Sequence, residues 1–163
     1  VKLIAKVNII NFFSGLKQAL LFAFSTSSSS ATIPITLKNL EKSFNVKKKV
    51  SSFTVPLGAT INMDGTAIMQ GMATIFIANF YGIELIFTDF LTIILTAALA
   101  SIGTAGVPGV GMIMLGMVLN QVGLPLEGIA IVMGVDRLLD MLRTSLNVAG
   151  DATVTLLINK LEK

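Results

Sequence analysis

Cysteine, histidine and tryptophan are all missing from the 163-residue sequence, and charge is scarce at 13% of residues. Each gap excludes something. Without cysteine there is no disulfide framework and no thiolate metal site; without histidine there is no imidazole ligand, no Ser-His triad and no histidine proton relay. A soluble domain carries about 25% charged residues. This chain is instead 53% hydrophobic, with a mean hydropathy of +0.83. The composition and the long apolar runs point to an integral membrane protein, expected to be all-α, multi-pass and in the cell membrane. The formal charge of +3 signals no nucleic-acid partner, because the lysines gather in one loop. Val1 is no initiator methionine and opens no signal peptide. The chain reads as a C-terminal piece of a longer protein, with earlier helices absent.

Basic residues are also absent from a long middle stretch: all twelve lie at positions 2–49 or 137–163. Lys2 and Lys6 precede the first apolar region, while Lys38, Lys42, Lys47, Lys48 and Lys49 follow it. The positive-inside rule then puts both its ends in the cytoplasm. A segment that starts and finishes on one side has not crossed. With a turn-like Ser25-Thr26-Ser27-Ser28-Ser29-Ser30 centre followed by Pro34, residues 7–46 read as a re-entrant hairpin.

Residues 53–81 are long enough to span, but are interrupted at Asn62-Met63-Asp64-Gly65-Thr66. Residues 89–123 form two short apolar arms around Gly103-Thr104-Ala105-Gly106-Val107-Pro108-Gly109-Val110-Gly111. An arm of about 13 residues rises only about 20 Å as a helix, short of a hydrocarbon core of roughly 30 Å. That region reads as a second re-entrant hairpin, entered from outside. Residues 125–158 are the last spanning helix, leaving Lys160 and Lys163 in the cytoplasm. Each half is thus a hairpin followed by a spanning helix with a polar interruption. The halves enter from opposite faces, an inverted repeat with broken helices.

The last helix carries Asp136, Asp140, Arg143, Asn147 and Asp151. At about 100° per residue, these fall within an arc of roughly 80°. A charge at mid-bilayer costs at least about 2.5–3.5 kcal/mol, so such residues usually serve a site or pathway. Arg143 can grip a carboxylate in a fork, Asp140 can accept from an ammonium, and Asn147 and Asp151 offer oxygen to a cation. The plainer alternative is an internal Asp140–Arg143 ion pair. Arg137 lies about 100° off the stripe; its expected partner is Asp136 and it has no ligand role. An unwound Asn62–Gly65 frees carbonyl oxygens beside the Asp64 carboxylate, a hard ligand set for a small cation, or else a kink with its acid paired. The serine tip offers hydroxyls and helix-end N–H groups to a carboxylate, unless it is an ordinary linker. The glycine tip permits close backbone approach and hinge motion, or simply tight packing.

These strings resemble the glutamate/aspartate:cation symporter family, the excitatory amino acid transporters and their prokaryotic relatives. The matching segments are Ser27–Ser30 with Pro34, Gly58–Thr66, Ser101–Gly109, and the Asp136…Asp140…Arg143-Thr144…Asn147…Gly150-Asp151 stripe. The resemblance implies most of an elevator transport domain, from a protein that forms homotrimers around a scaffold absent here. It implies that Ser28 and Ser29, with Ser27 beside them, hold the substrate's main carboxylate. Thr66 and Arg143 hold its side-chain carboxylate; Asp140, with Thr144 and Asn147 near, holds its ammonium. Gly106, Val107, Pro108, Gly109 and Gly111 belong to the gate that closes over it. One sodium ion uses carbonyls of Gly58, Asn62 and Asn147 with the Asp151 carboxylate. A second uses Thr60 and Met63 with carbonyls of Ser101, Ile102 and Thr104. A third uses the Asn62 and Asp64 side chains. The partners implied are an acidic amino acid, sodium and the bilayer, with no cofactor and no enzymatic reaction.

Two departures bear on coupling. Some family members carry an arginine where this chain has Ser27, and others one at Met141; this chain has neither, so potassium counter-transport is not expected, and a proton in place of sodium stays open. Arg143 argues against a neutral substrate and Asp140 against a C4-dicarboxylate, the two alternatives within the family. An intramembrane aspartyl protease built on Asp64 and Asp140 lacks the expected Tyr-Asp and Gly-x-Gly-Asp contexts. A pore is the third class, distinguished by steady current without concentrative uptake.

Overall fold

The computed structural model describes residues 5–102, 104 and 106–162. Lys2, Lys163 and the Gly103 and Ala105 of the glycine tip lie outside the described residues. Among the described residues the regular structure is entirely helical: α1 (Ile9–Thr26), α2 (Ser29–Phe44), α3 (Lys48–Ile61), α4 (Asp64–Phe80), α5 (Phe87–Ile102), α6 (Val110–Gln121), a 3₁₀ turn (Leu126–Gly128) and α7 (Ile129–Leu161).

Local chemistry sets the helix ends. The Asn8 side chain accepts from the Ile10 amide at 3.0 Å and starts α1. Ser27 stops it, with φ +52° and its own N–H donating to Ala23 O at 2.8 Å. One residue later the Ser28 hydroxyl caps α2 by accepting from Ala31 N at 3.1 Å, the usual role of serine at an N-cap. The turn is therefore only Ser27–Ser28. Ser25 and Thr26 are still helical in α1, and Pro34 sits inside α2 rather than in the turn. A proline there gives up only its own bond back to the Ser30 carbonyl.

The α3–α4 break is narrow too. Asn62 (φ −101°, ψ 78°) and Met63 (φ −111°, ψ 49°) leave helical geometry, and α4 resumes at Asp64. α3 starts at Lys48, well before Phe53, and Asn159 of α7 accepts from the Lys47 amide just ahead of it at 3.0 Å. Gly82 (φ +66°) and Gly123 (φ +67°) make the turns after α4 and α6, backbone that favours glycine.

α7 organises the rest. At 33 residues it is about 50 Å long, and it packs against α1, α2, α3, α4 and α6. α1 and α2 fold back on each other and share a core with α3 and α7 through Phe12, Leu16, Leu40, Val55 and Leu156. α4, α6 and α7 meet through Met69, Ile77, Leu115 and Val132. The outside is the apolar part: Ile10, Phe13, Phe53, Met72, Phe87, Leu99, Ile113 and Leu138 all face outward. Among the described residues one helix, α1, combines 18 residues with the mean hydropathy of a membrane span.

Candidate functional site

Polar side chains that would normally seek water are instead buried where both helix-pair tips meet α7. Asp140, Arg143, Thr144, Asn147 and Asp151 are buried, as are Ser27, Ser28, Ser29, Thr66, Ser101 and Thr104. Asp136 is only partly covered. Thr60, Asp64, Ile102, Val107, Pro108 and Gly109 lie on the exposed side, while Gly58, Met63, Gly106 and Gly111 are buried and Asn62 is intermediate.

Arg143 sits between two acids of its own helix. Its Nε donates to Asp140 Oδ1 at 2.9 Å, and its Nη1 lies 3.4 Å from Asp136 Oδ1. The second contact is an ion pair without hydrogen-bond geometry, and both atoms lack any other partner. Asp136 therefore pairs with Arg143, two turns away, and not with Arg137. Arg137 instead donates from Nη2 to Ser25 O at 3.4 Å. Sequence reasoning missed both; the seven-residue spacing, which returns to one helical face, was the signal for the first. The Thr144 hydroxyl is 3.5 Å from Asp140 Oδ1. The other Asp140 oxygen, Oδ2, accepts from the Gly109 amide of the glycine tip at 3.0 Å.

The two tips touch. Gly106 O accepts from Ser28 Oγ at 2.8 Å and from Ser30 N at 3.2 Å. A side chain at Gly106 would meet Ala59 O and Ser30 Oγ at 2.9 Å, so only glycine fits. Because Ser28 Oγ also caps α2, its hydrogen-bonding capacity is largely used inside the protein. Ser27 Oγ, by contrast, is buried and unpartnered. Ser27, Ser29, Thr66, Thr104, Gly106 and Arg143 are among the residues closing a cavity of about 10 Å³, room for about one water.

The α3–α4 break is clamped from α7. Asn147 Oδ1 accepts from Gly65 N at 2.7 Å, and its Nδ2 reaches Met63 Sδ at 3.2 Å and Thr66 Oγ1 at 3.3 Å. Asn62 Nδ2 donates to Asp151 Oδ1 at 2.9 Å. Three glycines allow these approaches. A Cβ on Gly65 would strike the Arg143 carbonyl oxygen, one on Gly58 would strike Asp151 Oδ1, and one on Gly150 would strike Asn62 Nδ2 near Asp64 Oδ2. The break thus gathers carboxylate and amide oxygens beside a backbone freed from helical bonding, a donor set suited to a hard cation. No group of three acidic side chains forms among the described residues, so backbone and amide oxygens would have to complete any cation shell.

The profile of the sodium:dicarboxylate symporter family matches residues 1–161. The chain is 50% identical over 147 residues to an excitatory amino acid transporter of Caenorhabditis elegans, covering 90% of this chain and 29% of that protein. It is 50% identical over 150 residues to human excitatory amino acid transporter 1, covering 92% and 28%. Mouse excitatory amino acid transporter 3 is 45% identical over 161 residues, covering 99% and 31%. The chain therefore spans about 30% of the length of these curated relatives.

Proposed function

The chain belongs to the sodium:dicarboxylate symporter family, a family of transporters and not of enzymes, and from that premise we propose that it forms the substrate- and cation-binding part of a sodium-coupled carrier for L-aspartate or L-glutamate. One observation carries the reading: the buried Asp140–Arg143 pair at 2.9 Å sits where both tips converge. An acidic amino acid needs more room than the one-water cavity between the touching tips, so it enters as they part, and it brings its own cation and anions to such a pair. Its side-chain carboxylate takes the Arg143 guanidinium with Thr66, its ammonium takes Asp140 near Thr144 and Asn147, and its main carboxylate meets Ser27, Ser28 and Ser29. The Ser28 hydroxyl is engaged by Gly106 and Ala31, whereas that of Ser27 is unpartnered.

Coupling follows from charge. Asp136, Asp140 and Asp151 share this interior with one guanidinium, that of Arg143, and Asp64 lies at its exposed edge. A substrate of net charge −1 worsens the excess, and unpaired charge away from water is costly. Cations must enter with it. Gly58, Asn62, Asn147 and Asp151 offer oxygens for one sodium; Thr60, Met63, Ser101, Ile102 and Thr104 for a second; Asn62 and Asp64 for a third. The second set joins the α3–α4 break to the second tip, so its filling favours a closed Val107–Gly109 gate. A proton could relieve the same excess, and exchanging the driving ion in an uptake assay separates the two.

In this reading the α1–α2 and α5–α6 pairs are re-entrant hairpins, α3–α4 and α7 are the broken spanning helices, and the unit moves as an elevator within a homotrimer. The apolar exterior around a polar interior supports a bilayer setting. The test is uptake by the complete protein in liposomes. Concentrative uptake of either acid under an inward sodium gradient is expected. Uptake driven only by a proton gradient would replace the coupling ion, and no uptake of either acid would refute the function.

A further inference from the structure

Resting on that transport reading, we propose that Arg137 is a positioning residue that clamps the end of α1 and thereby aims the Ser27 hydroxyl into the substrate cavity. The last carbonyls of a helix lack intrahelical partners, and α1 resolves them in several ways. Ser27 N donates to Ala23 O, while the Ser25 and Thr26 hydroxyls bond back to Leu21 O and Phe22 O, each at 2.8 Å, carbonyls already inside the helix, and so leave the later ones open. The Ser25 carbonyl receives Arg137 Nη2 from α7. A guanidinium there satisfies an orphan acceptor and sits at the negative end of the helix dipole. This also gives an exposed cation inside an apolar surface a reason to be where it is.

The residue just past the clamped turn has an uncommon backbone. Ser27 has φ +52° and ψ 34° without being glycine. Left-handed backbone at a non-glycine residue is strained and persists only where its surroundings hold it. Ser27 is one of the residues around the cavity, and its hydroxyl is buried and unpartnered. Farther down the same helix, Ser145 Oγ lies 3.3 Å from Leu20 O, a second tie between α7 and α1. Arg137 adjoins Asp136 and lies one turn before Asp140. The clamp therefore sets the register between the serine tip, which meets one end of the substrate, and the acid–arginine set that meets the other.

The test is a double-mutant cycle on the complete protein, with L-aspartate and L-glutamate dissociation constants measured by calorimetry. Arg137→Gln should weaken binding about three- to tenfold, the span of one modest hydrogen bond. Arg137→Lys should recover part of the loss, because a cation remains at the helix end. In a Ser27→Ala background, Arg137→Gln should add less than about twofold, since coupled neighbours are non-additive. Unchanged affinity in Arg137→Gln, or losses that simply multiply, would overturn the proposal. If Arg137→Gln fails to fold, Arg137→Lys with Ser27→Ala carries the same cycle. Wild-type protein that binds neither acid refutes the transport function instead. Amide exchange over residues 23–28 then still reads the clamp: faster exchange in Arg137→Lys supports it, and equal exchange overturns it.

Discussion

Replacing Gly111 by alanine should damage binding and also lower stability, although alanine is the better helix former. A Cβ built there would lie 2.5 Å from Arg143 Nη1 and 2.6 Å from its Cζ. Ordinary contact between such atoms is about 3.5 Å, so the guanidinium must retreat by about 1 Å or α6 must lift away. Either response stretches the 2.9 Å bond from Arg143 Nε to Asp140 or withdraws Gly109 N from Asp140 Oδ2. Hydrogen bonds to charged groups are worth about 1.5–3 kcal/mol, so substrate affinity should fall roughly tenfold to a hundredfold. The backbone effect runs the other way, but the about 0.4–1 kcal/mol that Gly→Ala gains in unfolded-state entropy is smaller than this loss, so the melting temperature should fall too. Calorimetric titration with aspartate, paired with a thermal melt of the same sample, reads both. Unchanged affinity in a folded Gly111→Ala protein would show that the guanidinium does not need the space α6 leaves it.

Two further substitutions probe other parts of the site. Asp140→Asn should destabilise the protein by up to about 3–5 kcal/mol, the cost of breaking a buried ion pair, because Arg143 keeps only the looser 3.4 Å contact to Asp136. Asp136→Asn, which relaxes only the 3.4 Å contact, should cost clearly less; thermal unfolding ranks them, and equal losses would contradict the asymmetry. Gly58→Ala pushes against the Asp151 carboxylate, so the sodium concentration for half-maximal uptake should rise several-fold, while substrate affinity at saturating sodium changes little. An unaltered sodium dependence would remove Asp151 from the cation's path.

The helical class and the special status of α7 were legible because both rest on local rules. Composition excludes most alternatives, and the 100° step places five polar residues on one face whatever else the chain does. The break at Asn62–Met63 was legible for a similar reason, since Asn-Met-Asp-Gly is a poor helix interior flanked by good apolar arms. What could not be read depends on partners far away in sequence. Pro34 looks like a turn residue until the Ser28 hydroxyl is seen starting α2 before it. Arg137 looks like the neighbour of Asp136, yet it points across to α1 because Asp136 faces Arg143. Ser28 reads as the obvious ligand hydroxyl, but Gly106 and Ala31 engage it first. The space Gly111 leaves for Arg143 joins residues 32 positions apart, and no periodicity announces it.

The single carbonyl of Gly106 has a consequence for kinetics. If the two tips part in the proposed transport cycle, that oxygen, the Ser28 hydroxyl and the Ser30 amide all lose their mates at once. Each stranded group costs about 1–3 kcal/mol if kept dry. Hydration must therefore accompany unlatching, and a handful of water molecules become stoichiometric reactants in the gating step. Unlatching should accordingly slow as osmolytes that cannot enter the crevice lower water activity outside it.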